Sequence, residues 1–227
     1  KLASLLLALA MIVAMSATVF AAGTNTITVK NAVGGQKYEL YKILDLSVNE
    51  NKTAYSYTVN STWADFFKSP DGKGLTYVNI DTLGYVTWKE GADVAAFAKD
   101  AEAFAKGLTA LKTITADNDG DITFSDLEAG YYLVTSTLCT KATVGTTPGN
   151  PNPEIREKNE VPTNVKSVEE DSTGIYGSTN DADIGQTVNF KSTITAQPGA
   201  ENYVFEDTMS AGMTYKGDAK VYTDETM

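Results

Sequence analysis

Short segments in which polar and apolar residues alternate recur along this chain, separated by turn-forming residues. Alternation with a period of two is the pattern of a strand that buries one face. It predicts strands at residues 26–29, 38–43, 55–59, 122–124 and 131–136, of which the last is the strongest. Strands of this kind must bury their apolar faces against another sheet or a helix, so the pattern predicts an all-β fold.

Two segments interrupt the strands with helical patterns. From Asp93 to Leu108 the apolar side chains recur at helical spacing, which predicts an amphipathic helix. The aromatic stripe of this helix, Phe97 and Phe104, favours packing onto a sheet over lining a ligand groove. A short capped helix is predicted at 61–67, where hydroxyl residues precede an apolar cluster. The first unit is therefore predicted to be a β-sandwich with inserted helices.

A second unit is predicted to begin near Pro162. Its strand patterns lie at 165–168, 203–209 and 213–215, and residues 184–194 are predicted to be a turn followed by a long strand. A sandwich of this class takes roughly seven strands and ~100 residues, so we expect the second domain to be incomplete and the chain to continue beyond Met227. The predicted organisation is a signal peptide at 1–22, a first domain at 23–161 and a truncated second domain at 162–227.

The first 22 residues have the pattern of a secretory signal peptide. Lys1 precedes an apolar run at 5–15, and Val19-Phe20-Ala21 predicts cleavage after Ala21. The run is too short for a membrane span, and no stop-transfer charges follow it. Because the sequence begins with Lys, we expect the start to be clipped. Cys139 is the one cysteine of the sequence, so this secreted chain cannot form an internal disulfide. If a load-bearing protein of this kind has an internal covalent link, the link must be of another type.

The charge balance excludes several classes of function. The chain has 18 basic and 29 acidic residues, a formal net charge of -11, which argues against nucleic acid as a partner. It contains no histidine. A histidine-ligated metal site and a histidine base are therefore excluded, and we expect no cofactor.

One acidic segment has the spacing of a calcium-binding loop. Residues 117–128 place aspartates at positions 1, 3 and 5 and Glu128 at position 12 of an EF-hand. The sixth position, which requires glycine, is Ile122, and the flanking residues have strand rather than helix patterns. A hairpin turn is the better interpretation.

The order of several motifs resembles the sortase-assembled major pilins, the fimbrial shaft subunits of Gram-positive bacteria. Segments similar to the N-terminal pilin domain lie at 34–43, 130–134 and 155–159. Segments similar to the isopeptide-forming domain that follows it lie at 165–168, 184–188 and 205–215. The resemblance implies tandem Ig-like (Cna-type) β-sandwich domains, a secreted, cell-wall-anchored protein, and no enzyme activity. It implies two partners, identical pilin subunits in a covalent homopolymer and a pilin sortase.

The resemblance also implies that Lys158 accepts the next subunit. In that family a sortase transfers the threonine carbonyl of one subunit to a lysine near the end of the first domain of another. The matching position is Lys158, although the family form Tyr-Pro-Lys-Asn is Arg-Glu-Lys-Asn here. An acceptor amine must be exposed on an extended stem. The alternative is an ordinary solvated lysine between two glutamates.

The resemblance implies a second amide bond, inside the second domain. Lys166 would attack an asparagine side chain, which we expect beyond residue 227, and ammonia would be released. Burial would keep the amine neutral, since desolvation lowers a lysine pKa. Asp207, on the same predicted strand face as Phe205, would shuttle the protons. The alternative for Asp207 is a solvent-exposed position at a strand end or turn. Lys42 and Glu128 could serve a further cross-link in the first domain, for which no convincing asparagine was found.

The leading hypothesis is therefore a structural shaft subunit that forms its own internal isopeptide bond. The alternative is a minor pilin or surface adhesin that binds a host surface ligand with the same modules. A secreted hydrolase is disfavoured, because no catalytic carboxylate pair on a recognisable cleft is visible.

Overall fold

The computed structural model describes residues 23–48, 54–68, 70, 72–197 and 203–223. The predicted signal peptide lies outside them. The described chain is mostly β-structure in three sheets, consistent with a sandwich-type fold. In chain order the strands are β1 Asn25–Ala32, β2 Lys37–Val48, β3 Tyr55–Val59, β4 Val78–Ile80, β5 Tyr85–Trp88, β6 Lys112–Thr115, β7 Gly120–Leu127, β8 Gly130–Ser136, β9 Lys141–Thr146, β10 Glu154–Arg156, β11 Thr163–Glu170, β12 Ile175–Gly177 and β13 Phe190–Thr195.

The largest sheet has seven strands in the order β4-β5-β3-β2-β8-β9, with β6 paired to the first half of β2. A second sheet has the order β10-β1-β7, in which β1 and β10 are parallel and β1 and β7 are antiparallel. The third sheet, β12-β11-β13, is antiparallel and contains every described strand that follows Pro162.

The seven-stranded sheet is the middle layer of the first part of the chain. One of its faces packs on the β10-β1-β7 sheet, and the buried side chains between them include Ile27, Tyr38, Leu40, Phe124 and Tyr132. The other face packs on the helices, where the buried side chains include Ile43, Trp63, Phe66, Phe97 and Leu133. Successive residues of β8 therefore point into two different cores, as the period of a strand requires.

Both predicted helices are present, but one is shorter than predicted and the other is a 3-10 helix. The α-helix α1 spans Val94–Ala105, with the side chain of Asp93 as its N-cap, so it ends three residues before the predicted Leu108. The segment Ser61–Phe67 is a 3-10 helix, and a second 3-10 helix spans Lys73–Thr76. Asn60, rather than a hydroxyl residue, caps the first of these, because its side chain accepts from the backbone N–H of Thr62.

The predictions for the second unit were only partly correct. The prediction at 165–168 is confirmed within β11. The turn and strand predicted at 184–194 are also present, with a turn at residues 184–185 and strand β13 beginning at Phe190. The strands predicted at 203–209 and 213–215 are wrong, since the described residues 203–223 contain no strand. An alternating pattern is not sufficient for a strand, which must also share its backbone hydrogen bonds with a neighbouring strand.

Candidate functional site

Lys158 lies immediately after an edge strand of the second sheet. Strand β10 pairs in parallel with β1, and the backbone N–H of Glu157 continues the pairing by donating to the carbonyl of Lys30 at 2.9 Å. Lys158 is exposed. Within the described ranges its amine forms no ion pair, even though glutamates flank it. The position therefore meets the steric requirement for an acceptor amine.

Glu157, which the sequence analysis treated as a flanking charge, is buried. Its side chain is 4% exposed. The hydroxyl of Ser136 donates to Oε2 at 3.0 Å, and the hydroxyl of Thr140 donates to Oε1 in a short contact. The backbone N–H groups of Lys158 and Asn159 donate to Oε1 at 2.9 and 3.0 Å. The carboxylate is thus held by two hydroxyls and two amides.

Asn159 ties the same segment to the turn between β8 and β9. Its side-chain amide donates to the carbonyl of Leu138 at 2.8 Å and to Oγ1 of Thr140 at 3.1 Å. One signal in the sequence could have revealed the inward direction of Glu157. Ile155 packs against the core between the two sheets, and a residue two positions later on an extended chain points the same way.

Lys166 and Asp207 are brought together although 41 residues separate them. The Lys166 amine lies 2.7 and 2.8 Å from the two carboxylate oxygens of Asp207, and 4.8 Å from the centre of the Phe190 ring. Lys166 lies in the middle of β11, opposite Ser192 of β13.

The predicted burial of this pair is not observed. The side chains of Lys166 and Asp207 are 36% and 39% exposed, and Phe205, predicted to share a core with Asp207, is 50% exposed. Within 162–197 and 203–223 the one buried residue is Val168. The physical reason is that β11, its two neighbouring strands β12 and β13 and the irregular segment 203–223 do not enclose a core, so water reaches the charges. In this arrangement the two groups form a solvent-accessible salt bridge.

Lys42 is the more deeply buried lysine. It is 9% exposed, and its amine lies 2.7 Å from Oδ1 of Asp45 and 2.7 Å from Oε2 of Glu128. The side-chain amide of Asn60 donates to both oxygens of Asp45, at 3.2 and 3.1 Å. Sequence analysis had paired Lys42 with Glu128 but missed Asp45 and Asn60, which the fold of β2 against β3 and the first 3-10 helix brings to the same cluster.

Two aspartates of the acidic segment 117–128 bind other parts of the fold. Asp119 accepts from the backbone N–H of Gly34 at 2.8 Å, and Asp121 accepts from Lys30 at 2.7 Å. The hydrogen bond and the charge of Asp121 raise the pKa of Lys30, and the bonds from Lys30 and Asn31 lower the pKa of Asp121. Residues 120–127 are strand β7, as the strand pattern predicted, but the hairpin interpretation is wrong. Strand β7 pairs with β1, whereas the preceding strand β6 pairs with β2, so the turn at 117–119 connects two different sheets.

Comparison with known proteins identifies no family. No protein-family model matches the chain, and no curated protein matches it significantly.

Two further features concern only the residues that the structure describes. They include no group of three or more His, Cys, Asp or Glu residues arranged to hold a metal ion. They also include no helix with the length and hydrophobicity needed to span a membrane.

Proposed function

We propose that the chain is a structural subunit of a covalently polymerised surface pilus, built from Ig-like (Cna-type) domains that meet near Pro162. The proposal starts from the ordered motifs that resemble major pilins. The observation that supports it most is the direct contact between Lys166 and Asp207, the amine and the carboxyl that the resemblance implies for one reaction. The exposed amine of Lys158, which forms no ion pair with any residue that the structure describes, is the second support.

The internal bond requires a neutral amine and a third group, an asparagine amide from a later strand. Asp207 lies within hydrogen-bond distance of Lys166 and is placed to take its proton. The Lys166 nitrogen then bonds to the asparagine Cγ, the Cγ–N bond breaks, and the amide nitrogen leaves as ammonia with the protons that Asp207 returns. Further packing over β11 would disfavour the charged forms of both groups and so promote this step.

The bond between subunits would form at Lys158. The sortase carries the threonine carbonyl of one subunit as a thioester, the Lys158 amine attacks that carbonyl, and the sortase thiol leaves. The protein would be a substrate of the sortase in this reaction. The one reaction that it would carry out itself is the formation of its internal cross-link, which occurs once per molecule. We further propose that it is secreted and anchored to the cell wall, with identical subunits and a pilin sortase as its partners.

The test is peptide transfer to the purified chain. A sorting-motif peptide and a pilin-class sortase are expected to add one peptide at Lys158, located by tandem mass spectrometry. Lys158→Arg is expected to remove the product, whereas Lys68→Arg, a change at a lysine that is 76% exposed, is expected to leave it. Transfer that persists in Lys158→Arg would show that another lysine is the acceptor. In cells, the corresponding result is loss of the high-mass ladder on a denaturing gel.

The internal bond is tested separately by intact mass. The full-length protein is expected to be lighter than its sequence by one ammonia, and Asp207→Ala is expected to have the full sequence mass. A protein whose mass already equals its sequence would remove Lys166 and Asp207 from these roles.

A further inference from the structure

A carboxylate is normally found at the surface, because burying its charge is costly unless hydrogen bonds replace water. Glu157 is nonetheless buried, next to an exposed lysine. The donors to its carboxylate include two hydroxyls and two backbone amides, and among the residues that the structure describes it takes part in no ion pair. The side chain is therefore placed for its hydrogen bonds rather than for a salt bridge.

The hydrogen bonds of Glu157 fix the backbone on both sides of one residue. The amides that it holds belong to Lys158 and Asn159, which are the peptide groups before and after the Lys158 Cα. Fixing these two peptide planes restricts the backbone angles of Lys158 and with them the direction of its Cα–Cβ bond.

Two separate elements hold this segment in place. The backbone N–H of Glu157 is bonded to Lys30 of β1, while the side chains of Glu157 and Asn159 are bonded to the turn that follows β8. Of the three consecutive side chains, only that of Lys158 points away from these contacts into solvent. The arrangement anchors the neighbours of the amine and leaves the amine itself accessible.

We propose that Glu157 is a positioning residue for the acceptor Lys158, an inference that rests on the proposed function. Its carboxylate holds residues 157–159 against the β8–β9 turn, so that the lysine stem leaves the surface in one direction when the acyl-enzyme docks. Restricting the orientation of a nucleophile lowers the entropy lost on reaching the transition state. Glu157 is not assigned as the base for Lys158, because both of its oxygens already accept hydrogen bonds and, among the described residues, no ion pair joins it to the Lys158 amine.

The test compares Glu157→Ala with Glu157→Gln in the full chain. The alanine variant is expected to lower kcat/KM for Lys158 as acceptor by about tenfold or more, at a fixed, saturating concentration of sorting-motif peptide. Glutamine keeps an acceptor oxygen for the two backbone amides and is expected to retain most of that activity. Acetylation of Lys158 by a small N-hydroxysuccinimide ester is expected to be unchanged in both variants, because the amine stays exposed.

Hydrogen exchange reports the contact without any sortase. The amides of Lys158 and Asn159 are expected to exchange about tenfold or more faster in Glu157→Ala than in the natural chain, because each loses a charge-assisted hydrogen bond. The matched control is Asn25→Ala, which removes a buried hydrogen bond to Leu127 at the opposite end of the second sheet. It is expected to leave both the exchange of these amides and the transfer rate as they are.

The outcomes separate the two proposals. If the natural chain accepts peptide at Lys158 but Glu157→Ala is within twofold of it, or if Asn25→Ala loses as much, the pilin proposal stands and the positioning role is wrong. If the natural chain accepts no peptide at Lys158, the proposed function is wrong and the positioning role falls with it. Slow exchange of the two amides would then identify Glu157 as a purely structural contact.

Discussion

Replacement of Lys42 by methionine tests the buried charge cluster in the first part of the chain. Methionine keeps an unbranched side chain of similar length and removes the ammonium. Asp45 and Glu128, each 2.7 Å from that ammonium, would then face each other without a cation. Because Lys42 is 9% exposed, little water could enter to take its place.

The expected cost follows from the exposure of each group. Removing one partner of a buried ion pair typically costs about 3–5 kcal/mol. Asp45 is 26% and Glu128 50% exposed, so water already solvates part of the charge that would be left. We therefore expect Lys42→Met to lower the free energy of unfolding by about 3 kcal/mol, at the lower end of that range. Glu128→Gln, which removes the more exposed partner, is expected to cost about 1 kcal/mol.

Equilibrium unfolding in urea, followed by circular dichroism, measures these differences. Lys37→Met is the matched control, because Lys37 also lies on β2 and forms an ion pair with Glu39 at 2.9 Å, but its side chain is 49% exposed. Its expected cost is less than about 1 kcal/mol. The reasoning is refuted if Lys42→Met costs no more than Lys37→Met. It is also refuted if the intact mass of the natural chain shows Lys42 in an amide bond, since the argument requires a charged amine.

Two further predictions concern other parts of the fold. Gly130→Ala is expected to cost about 2 kcal/mol in the same urea assay, because the added Cβ would lie 2.6 Å from a backbone carbonyl of β2; Gly149→Ala, where no atom lies within 4 Å, is the control and should change stability little. Burial raises the pKa of Tyr41 to about 12, and a hydrogen bond to Asp100 does the same for Tyr77. Since an unfolded tyrosine titrates near about 10, the folded chain holds more protons between these values, and its stability should fall as pH rises from about 10 to about 12. Two tyrosine classes in an ultraviolet absorbance titration would support this, and a single class near pH 10 would contradict it.

The strands that the sequence predicted correctly in the first unit are those in which polar and apolar residues alternate clearly. The segments 26–29, 38–43, 55–59, 122–124 and 131–136 all lie within strands. Alternate side chains of a strand point to the same face, so the alternating apolar residues can all pack into one core. The six-residue strand β9 and the short strands β4, β5, β6, β10 and β12 were not predicted. Three or four residues carry too little periodicity, and such strands are defined by the neighbour with which they pair.

Some residues of the candidate site could be predicted from the sequence and others could not. Lys158, Lys166 and Asp207 could be nominated from ordered motifs, and the pairing of Lys42 with Glu128 could be suggested. Asp45 could not, because nothing in its residue type marks a carboxylate that the fold will bury. For Glu157 the one available signal was its position two residues after the apolar Ile155 on an extended segment. The prediction that Asp207 lies on a strand was wrong. The segment around it alternates polar and apolar residues as a strand does, but among the described residues no strand pairs with it.

By itself the sequence determined the local tendencies: which segments alternate, where α1 forms and is capped by Asp93, and the absence of histidine and of a second cysteine. These depend on neighbours within a few positions along the chain. The tertiary structure decided which charges meet, placing Lys166 on Asp207, Lys42 between two carboxylates and Glu157 beneath the turn at Thr140. Such contacts depend on strand register and on how far each side chain is shielded from water. Both are set by the packing of segments that are far apart in the sequence.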